Sequence, residues 1–194
     1  LRPGDQLVSI TGAPYDTMQT VIGWAHESCG SLKEFGVSYD ELPMCEGRVD
    51  LDGIARIVTP ETKVALVQRS RGYSERQPLS IADIRAVSAR IKAANPNCIV
   101  FVDNCYGEFV ETEEPTAIAD VDIMAGSLIK NPGGGLAPTG GYIAGRSDLV
   151  EMASYRLTAP GMGDELGASL ISNRLLFQGL FLAPHVVAQA LKGA

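Results

Sequence analysis

Asp122-Ile123-Met124-Ala125-Gly126-Ser127-Leu128-Ile129-Lys130-Asn131-Pro132-Gly133-Gly134-Gly135 is an apolar, strand-like run that delivers one lysine to the mouth of a glycine-rich loop. Upstream, Cys98-Ile99-Val100-Phe101-Val102 is a second apolar run, and it ends in Asp103. Both runs are continuously apolar rather than alternating, which marks strands of a sheet covered on both faces. Working outward, Gln6–Ile10, Val37–Leu42, Val64–Gln68 and Gly141–Ala144 also read as strands. Helices are predicted over Asp16–Glu27, from Asp50 through Val58, from Ser80 to Asn95-Pro96, over Asp148–Arg156 and over Asp164–Gln178. The clearest is the third. Ser80-Ile81-Ala82-Asp83 resembles a capping box, and Ile81, Ile84, Val87 and Ile91 recur at helical spacing. Strands interleaved with helices predict the α/β class: a mostly parallel sheet with right-handed crossovers and helices on both faces.

Ligands of such sheets bind beyond the carboxyl ends of the strands. Gln68–Tyr73, Asp103–Gly107 and Ser127–Lys130 fall at those ends. A lysine and a carboxylate on two buried strand ends suit pyridoxal phosphate (PLP). The amine can hold the aldehyde as a Schiff base, and the carboxylate can hold the protonated pyridine nitrogen. Desolvation in a cleft is expected to lower the Lys130 pKa, as that chemistry requires. Ser127 can offer its hydroxyl to a phosphate, and Tyr15 can stack on a flat ring. Each has a plainer reading: a surface lysine, a turn-capping aspartate, a serine that closes its strand, a tyrosine packed at a helix start. Arg69 and Arg71 can meet phosphate or carboxylate by bidentate contact, or simply be solvated. Gly133-Gly134-Gly135 and Gly140-Gly141 suggest close backbone approach or an anion nest. No Gly-Lys-Ser/Thr follows, so the loop is not a Walker P-loop.

The 194 residues suffice for one sizeable domain. A net charge of −7 argues against general nucleic-acid binding. No apolar run approaches the roughly 20 residues of a membrane span, and Leu1-Arg2-Pro3-Gly4-Asp5 opens no signal peptide. Cys29, Cys45, Cys98 and Cys105 contain no CxxC pair, and with only His26 and His185 no metal site is expected. Free thiols in a reducing cytoplasm are expected. The chain has no initiator Met, starts at a turn and stops near a helix, which predicts a piece of a longer protein.

Three segments together resemble one family: Gly12-Ala13-Pro14-Tyr15-Asp16-Thr17, Val102-Asp103-Asn104-Cys105-Tyr106-Gly107-Glu108-Phe109 and Ser127–Gly135. Ala159–Glu165 and Gln178–His185 add to the likeness. The family is the methionine gamma-lyase-like or cystathionine beta-lyase-like proteins, often labelled aluminium resistance proteins, within the fold-type-I PLP enzymes. The resemblance implies the large PLP-binding domain over residues 1–194. It implies that a phosphate-loop region before Leu1 and a small C-terminal domain after Ala194 are absent here, and with the latter the arginine for the substrate carboxylate.

By the same resemblance, Lys130 is the Schiff-base lysine and general base, and Asp103 partners the pyridine nitrogen. Tyr15 stacks on the ring and assists proton transfer, and Ser127 binds the phosphate. Ile129 stands where the wider family often has a second phosphate-binding hydroxyl. The implied activity is β- or γ-elimination of a thiol from a sulfur-containing amino acid, in a cytoplasmic homodimer or homotetramer. Transamination, racemisation and aldol cleavage stay open on the same scaffold, as does a non-catalytic stress or metal-resistance protein. A nucleotide-binding domain is the remaining alternative, against which the missing glycine fingerprint counts.

Overall fold

The computed structural model describes residues 1–24, 29–157, 159–163, 165 and 173–194. Six strands form one sheet: β1 (Gln6–Ser9), β2 (Ser38–Glu41), β3 (Thr62–Gln68), β4 (Ile99–Asp103), β5 (Ile123–Ser127) and β6 (Gly141–Gly145). Their order is β2-β1-β3-β4-β5-β6. The first five are parallel, and β6 runs antiparallel along the β5 edge. The expected α/β sheet is therefore present, with one strand reversed. The connection from β5 to β6 carries only a short 3-10 turn, Asn131–Gly133, and no α-helix.

Alternate residues of the central strands feed two cores. Val8, Ala65, Val67, Val100 and Val102 pack under α2 (Ile54–Ile57) and α3 (Ile81–Ala94), against Ile54, Ile84, Val87 and Ile91. Leu7 and Leu66 face the other way, toward Ile22 of α1 (Asp16–Ile22), with Phe101 packed alongside. Burial on both faces is why these strands read as continuous apolar runs. The α3 capping box is formed: the Ser80 hydroxyl accepts from the Asp83 N–H, and Asp83 accepts from the Ser80 N–H.

Several predicted boundaries shift. Helix α1 stops at Ile22 because Gly23 caps it in the left-handed conformation (φ 81°). Of the residues beyond it that were predicted helical, 25–27, which include His26, lie outside the described residues. Asp50 does not start a helix; its carboxylate closes a turn by accepting the Gly53 N–H at 2.9 Å, ahead of α2. Helix α4 spans Ser147–Ser154. The final predicted helix begins in residues outside those described. Its described part, α5 (Asn173–Gly193), runs on past Gln178 and contains Pro184. With 21 residues and a mean hydropathy of 1.2, α5 is long and apolar enough to cross a membrane, by length and composition only. That corrects the reading that no apolar run reaches such a length.

Asp122, just ahead of β5, ties the sheet together. Its buried carboxylate accepts from Lys92 Nζ of α3 (2.6 Å), from the Val100 N–H of β4 (2.8 Å) and from Arg146 Nη1 after β6 (2.9 Å). The strand that carries Lys130 outward is thereby fixed at its start.

Candidate functional site at the carboxyl edge of the sheet

Register brings the predicted residues to one edge. Gln68, Asp103 and Ala125 stand side by side on β3, β4 and β5. Two residues beyond Ala125, Ser127 closes β5, and its carbonyl accepts the Lys130 N–H at 3.2 Å. Asp103 is buried, and its Oδ1 accepts the Cys105 N–H at 3.0 Å. Tyr15 sits at the start of α1, and its N–H donates to Gln68 Oε1 at 3.0 Å. The Lys130 ammonium lies over the Tyr106 ring, 4.5 Å from its centroid.

The side chains sense one another. Burial raises the pKa of the Tyr15 phenol; Asp103 and Cys105 raise it further, and Lys130 opposes them. For Lys130, desolvation acts downward as expected. Hydrogen bonding and charge from Cys105, then Tyr106 and Asp103, outweigh it, and the net shift is upward. The expected depressed lysine is therefore corrected: its pKa lies above the ordinary value. Tyr15, Asp103 and Lys130 form one cluster, with Ser127 on the adjoining turn.

Cys105 and Tyr106 are partners of Lys130 that sequence reasoning did not single out. Tyr106 (φ 67°) and Phe109 (φ 62°) both take left-handed backbone, an uncommon and strained choice for large side chains that tends to gather at functional sites. No residue type at these positions announces it.

Glu108 was also missed. It is buried; Oε1 accepts from the Tyr142 hydroxyl at 2.8 Å, while Oε2 has no hydrogen-bond partner among the described residues. Its backbone carbonyl accepts from Asn131 Nδ2 at 3.0 Å, which links the turn after Asp103 to the loop after Lys130. Gly126 is required beside it, because a Cβ there would overlap Glu108 and Tyr142.

Two sequence expectations resolve differently. Arg69 is not an anion receptor. It is buried, and it donates to Asn104 Oδ1 (2.8 Å), Glu111 Oε2 (2.6 Å) and the Leu79 carbonyl (3.3 Å). Gly133 and Gly134 serve close approach rather than an anion nest: a Cβ on Gly134 would overlap the Gly179 carbonyl of α5, and one on Gly179 would overlap that of Gly133.

Two cavities open at this edge. One, of about 610 Å³, is lined by Arg69, Arg71, Tyr106 and Glu111 among others, and reaches Leu191 of α5. The second, of about 400 Å³, is lined by Tyr15, Asp16, Arg71 and Arg76 among others. Neither has Lys130 or Asp103 in its wall; each adjoins the cluster through one tyrosine.

The chain as a whole has known relatives. A family model described as methionine gamma-lyase matches residues 1–194. The uncharacterized Bacillus subtilis protein YnbB is 53% identical over 196 residues, which covers all of this chain and 46% of the relative. A solved Listeria monocytogenes structure, provisionally named a cystathionine beta-lyase involved in aluminum resistance, is 55% identical. It superposes with a TM-score of 0.95 over all of this chain and 48% of its own. A Clostridium novyi carbon-sulfur lyase involved in aluminum resistance is 47% identical, with a TM-score of 0.93 over all of this chain and 46% of its own. This chain therefore spans about half the length of these relatives.

Proposed function

The chain belongs to the methionine gamma-lyase family, and on that premise we propose that it forms the lysine-bearing part of a PLP-dependent carbon–sulfur lyase. The substrate is a small sulfur-containing amino acid, cleaved by β- or γ-elimination. The observation that carries the reading is the cluster of Lys130, Asp103 and Tyr15 at one sheet edge. The donor set fits the cofactor: a primary amine, a buried carboxylate one strand away, a half-buried phenol and a strand-end hydroxyl. When bound, PLP supplies an electron sink conjugated to the substrate Cα.

The chain's own residues would do the rest. The Lys130 amine takes the proton from Cα. Cys105, Tyr106 and Asp103 raise its pKa against the desolvation that lowers it. Asp103 keeps the pyridine nitrogen protonated, because a buried carboxylate is stabilised by a cationic partner. Tyr15 covers the ring and passes a proton to the departing sulfur. Ser127 holds a phosphate oxygen. The working unit is a cytoplasmic homodimer or homotetramer; the exposed Phe177, Leu180 and Phe181 of α5 support association.

The test uses the full-length protein. As purified, it should absorb in the visible, and release a keto acid from cystathionine, methionine or cysteine. Lys130→Ala should remove both the band and the activity. A Lys130→Ala protein that keeps them would overturn the assignment.

A further inference from the structure

Three arginines follow β3, and the structure separates their roles. Arg69 is spent on Asn104, Glu111 and the Leu79 carbonyl. Arg76 is buried and donates to the carbonyls of Gln68, Ser70 and Gln77, which pins the segment between them. Arg71 is exposed, and its guanidinium has no hydrogen-bond or ion-pair partner among the described residues. It lines both cavities, at the wall they share with Gly72. Two carboxylates line these cavities, Glu111 and Asp16. Glu111 is held by Arg69 (2.6 Å) and the Ile81 N–H (3.0 Å), and Asp16 accepts the Thr17 N–H (2.7 Å). Among the described residues lining the two cavities, Arg71 is the cation with no hydrogen-bond or ion-pair partner of its own, and the cavities adjoin the lysine cluster through Tyr15 and Tyr106.

From this geometry we propose that Arg71 is a specificity-determining residue that binds a side-chain carboxylate of the substrate. The site accordingly favours amino acids that carry a second carboxylate. The inference rests on the lyase reading above. A guanidinium presents a planar pair of donors that matches a carboxylate. Position argues for the distal carboxylate. Lys130 must reach Cα, to which the α-carboxylate is bonded. Arg71 follows β3, with β4 between it and β5, so the two strand ends lie about 10 Å apart. That spacing places Arg71 at the far end of an extended substrate. The larger cavity, of about 610 Å³, has room for such a side chain.

The test compares the full-length protein with its Arg71→Gln and Arg71→Lys variants, each also carrying Lys130→Ala to stop turnover. Calorimetry gives Kd for L-cystathionine, which has two carboxylates, and for L-methionine, which has one. Arg71→Gln should weaken cystathionine binding about ten- to hundredfold, the equivalent of one charge-assisted contact, and Arg71→Lys should restore part of it. Methionine binding should stay put. PLP affinity, measured by spectral titration with Lys130 intact, should also stay put. Equal weakening of both amino acids, loss of PLP affinity, or no change for cystathionine would each overturn the proposal. Failure of the lyase reading would show separately, as a Lys130 protein with no visible band.

Discussion

Replacing Asp122 with Asn should destabilise the protein at neutral pH and progressively less in acid. The carboxylate accepts from Lys92 Nζ at 2.6 Å, the Val100 N–H at 2.8 Å and Arg146 Nη1 at 2.9 Å, and is itself buried. Asn keeps one oxygen to accept from Lys92 and the Val100 N–H, but it loses the carboxylate charge facing Lys92 and turns its amide N–H, a donor, toward Arg146, about 1 to 1.5 kcal/mol each before screening. Arg146 is half-exposed and also holds Asp148, so its share is discounted. The expected loss is about 1–2 kcal/mol. Asp122→Ala, which strands Lys92 and the Val100 N–H, should cost about 3–5 kcal/mol.

The pH dependence follows from the shift of this acid. Burial pushes the carboxyl up, but Lys92, the Val100 N–H and Arg146 pull it further down, for a net depression. A depressed acid stabilises fully above its unfolded pKa of about 3.9, and that contribution is lost as pH falls through the folded value. Urea midpoints of full-length wild-type and Asp122→Asn protein, compared across pH at constant m, read this directly. A loss below about 1 kcal/mol at pH 7, or a gap that does not shrink in acid, would refute the clamp.

Gly179→Ala should cost about 1–3 kcal/mol, because its Cβ would overlap the Gly133 carbonyl and push α5 off the glycine loop. Thermal unfolding against Gly193→Ala, where nothing lies within 4 Å, is the control: that variant should be neutral or slightly stabilised. Glu108→Gln should behave oppositely to Asp122→Asn. Burial leads in raising the Glu108 pKa. A raised acid contributes stability below its unfolded pKa of about 4.3 and loses it as pH rises through the folded value. The Gln variant should therefore gain on wild type as pH rises from about 4 to 8, read as urea midpoints. A gap constant across that range would contradict the upward shift of this carboxyl.

What the sequence revealed, and what it hid, divides along one physical line. Properties written in apolar period were legible: α3 with its capping box, and β3, β4 and β5 with strand-end residues Gln68, Asp103 and Ser127. Such periods report burial, and burial sets the sheet. Properties that depend on which polar partner a side chain meets were not legible. Arg69 and Arg71 are two residues apart and chemically identical, yet one is consumed by Glu111 and Asn104 while the other faces the cavities. Desolvation of Lys130 was foreseeable from its place after a buried strand. The net sign of its shift was not, because that depends on Tyr106 adopting a positive φ and on Cys105 raising the amine from beside it. The glycines show the same division. Their number suggested close approach or an anion site, and only the passage of α5 over Gly133 and Gly134 decides for close approach. Composition and spacing thus locate the edge at which chemistry is to be sought. The pairing of charges along that edge, which leaves Arg71 unspent and Lys130 held, decides which residues remain available to a ligand.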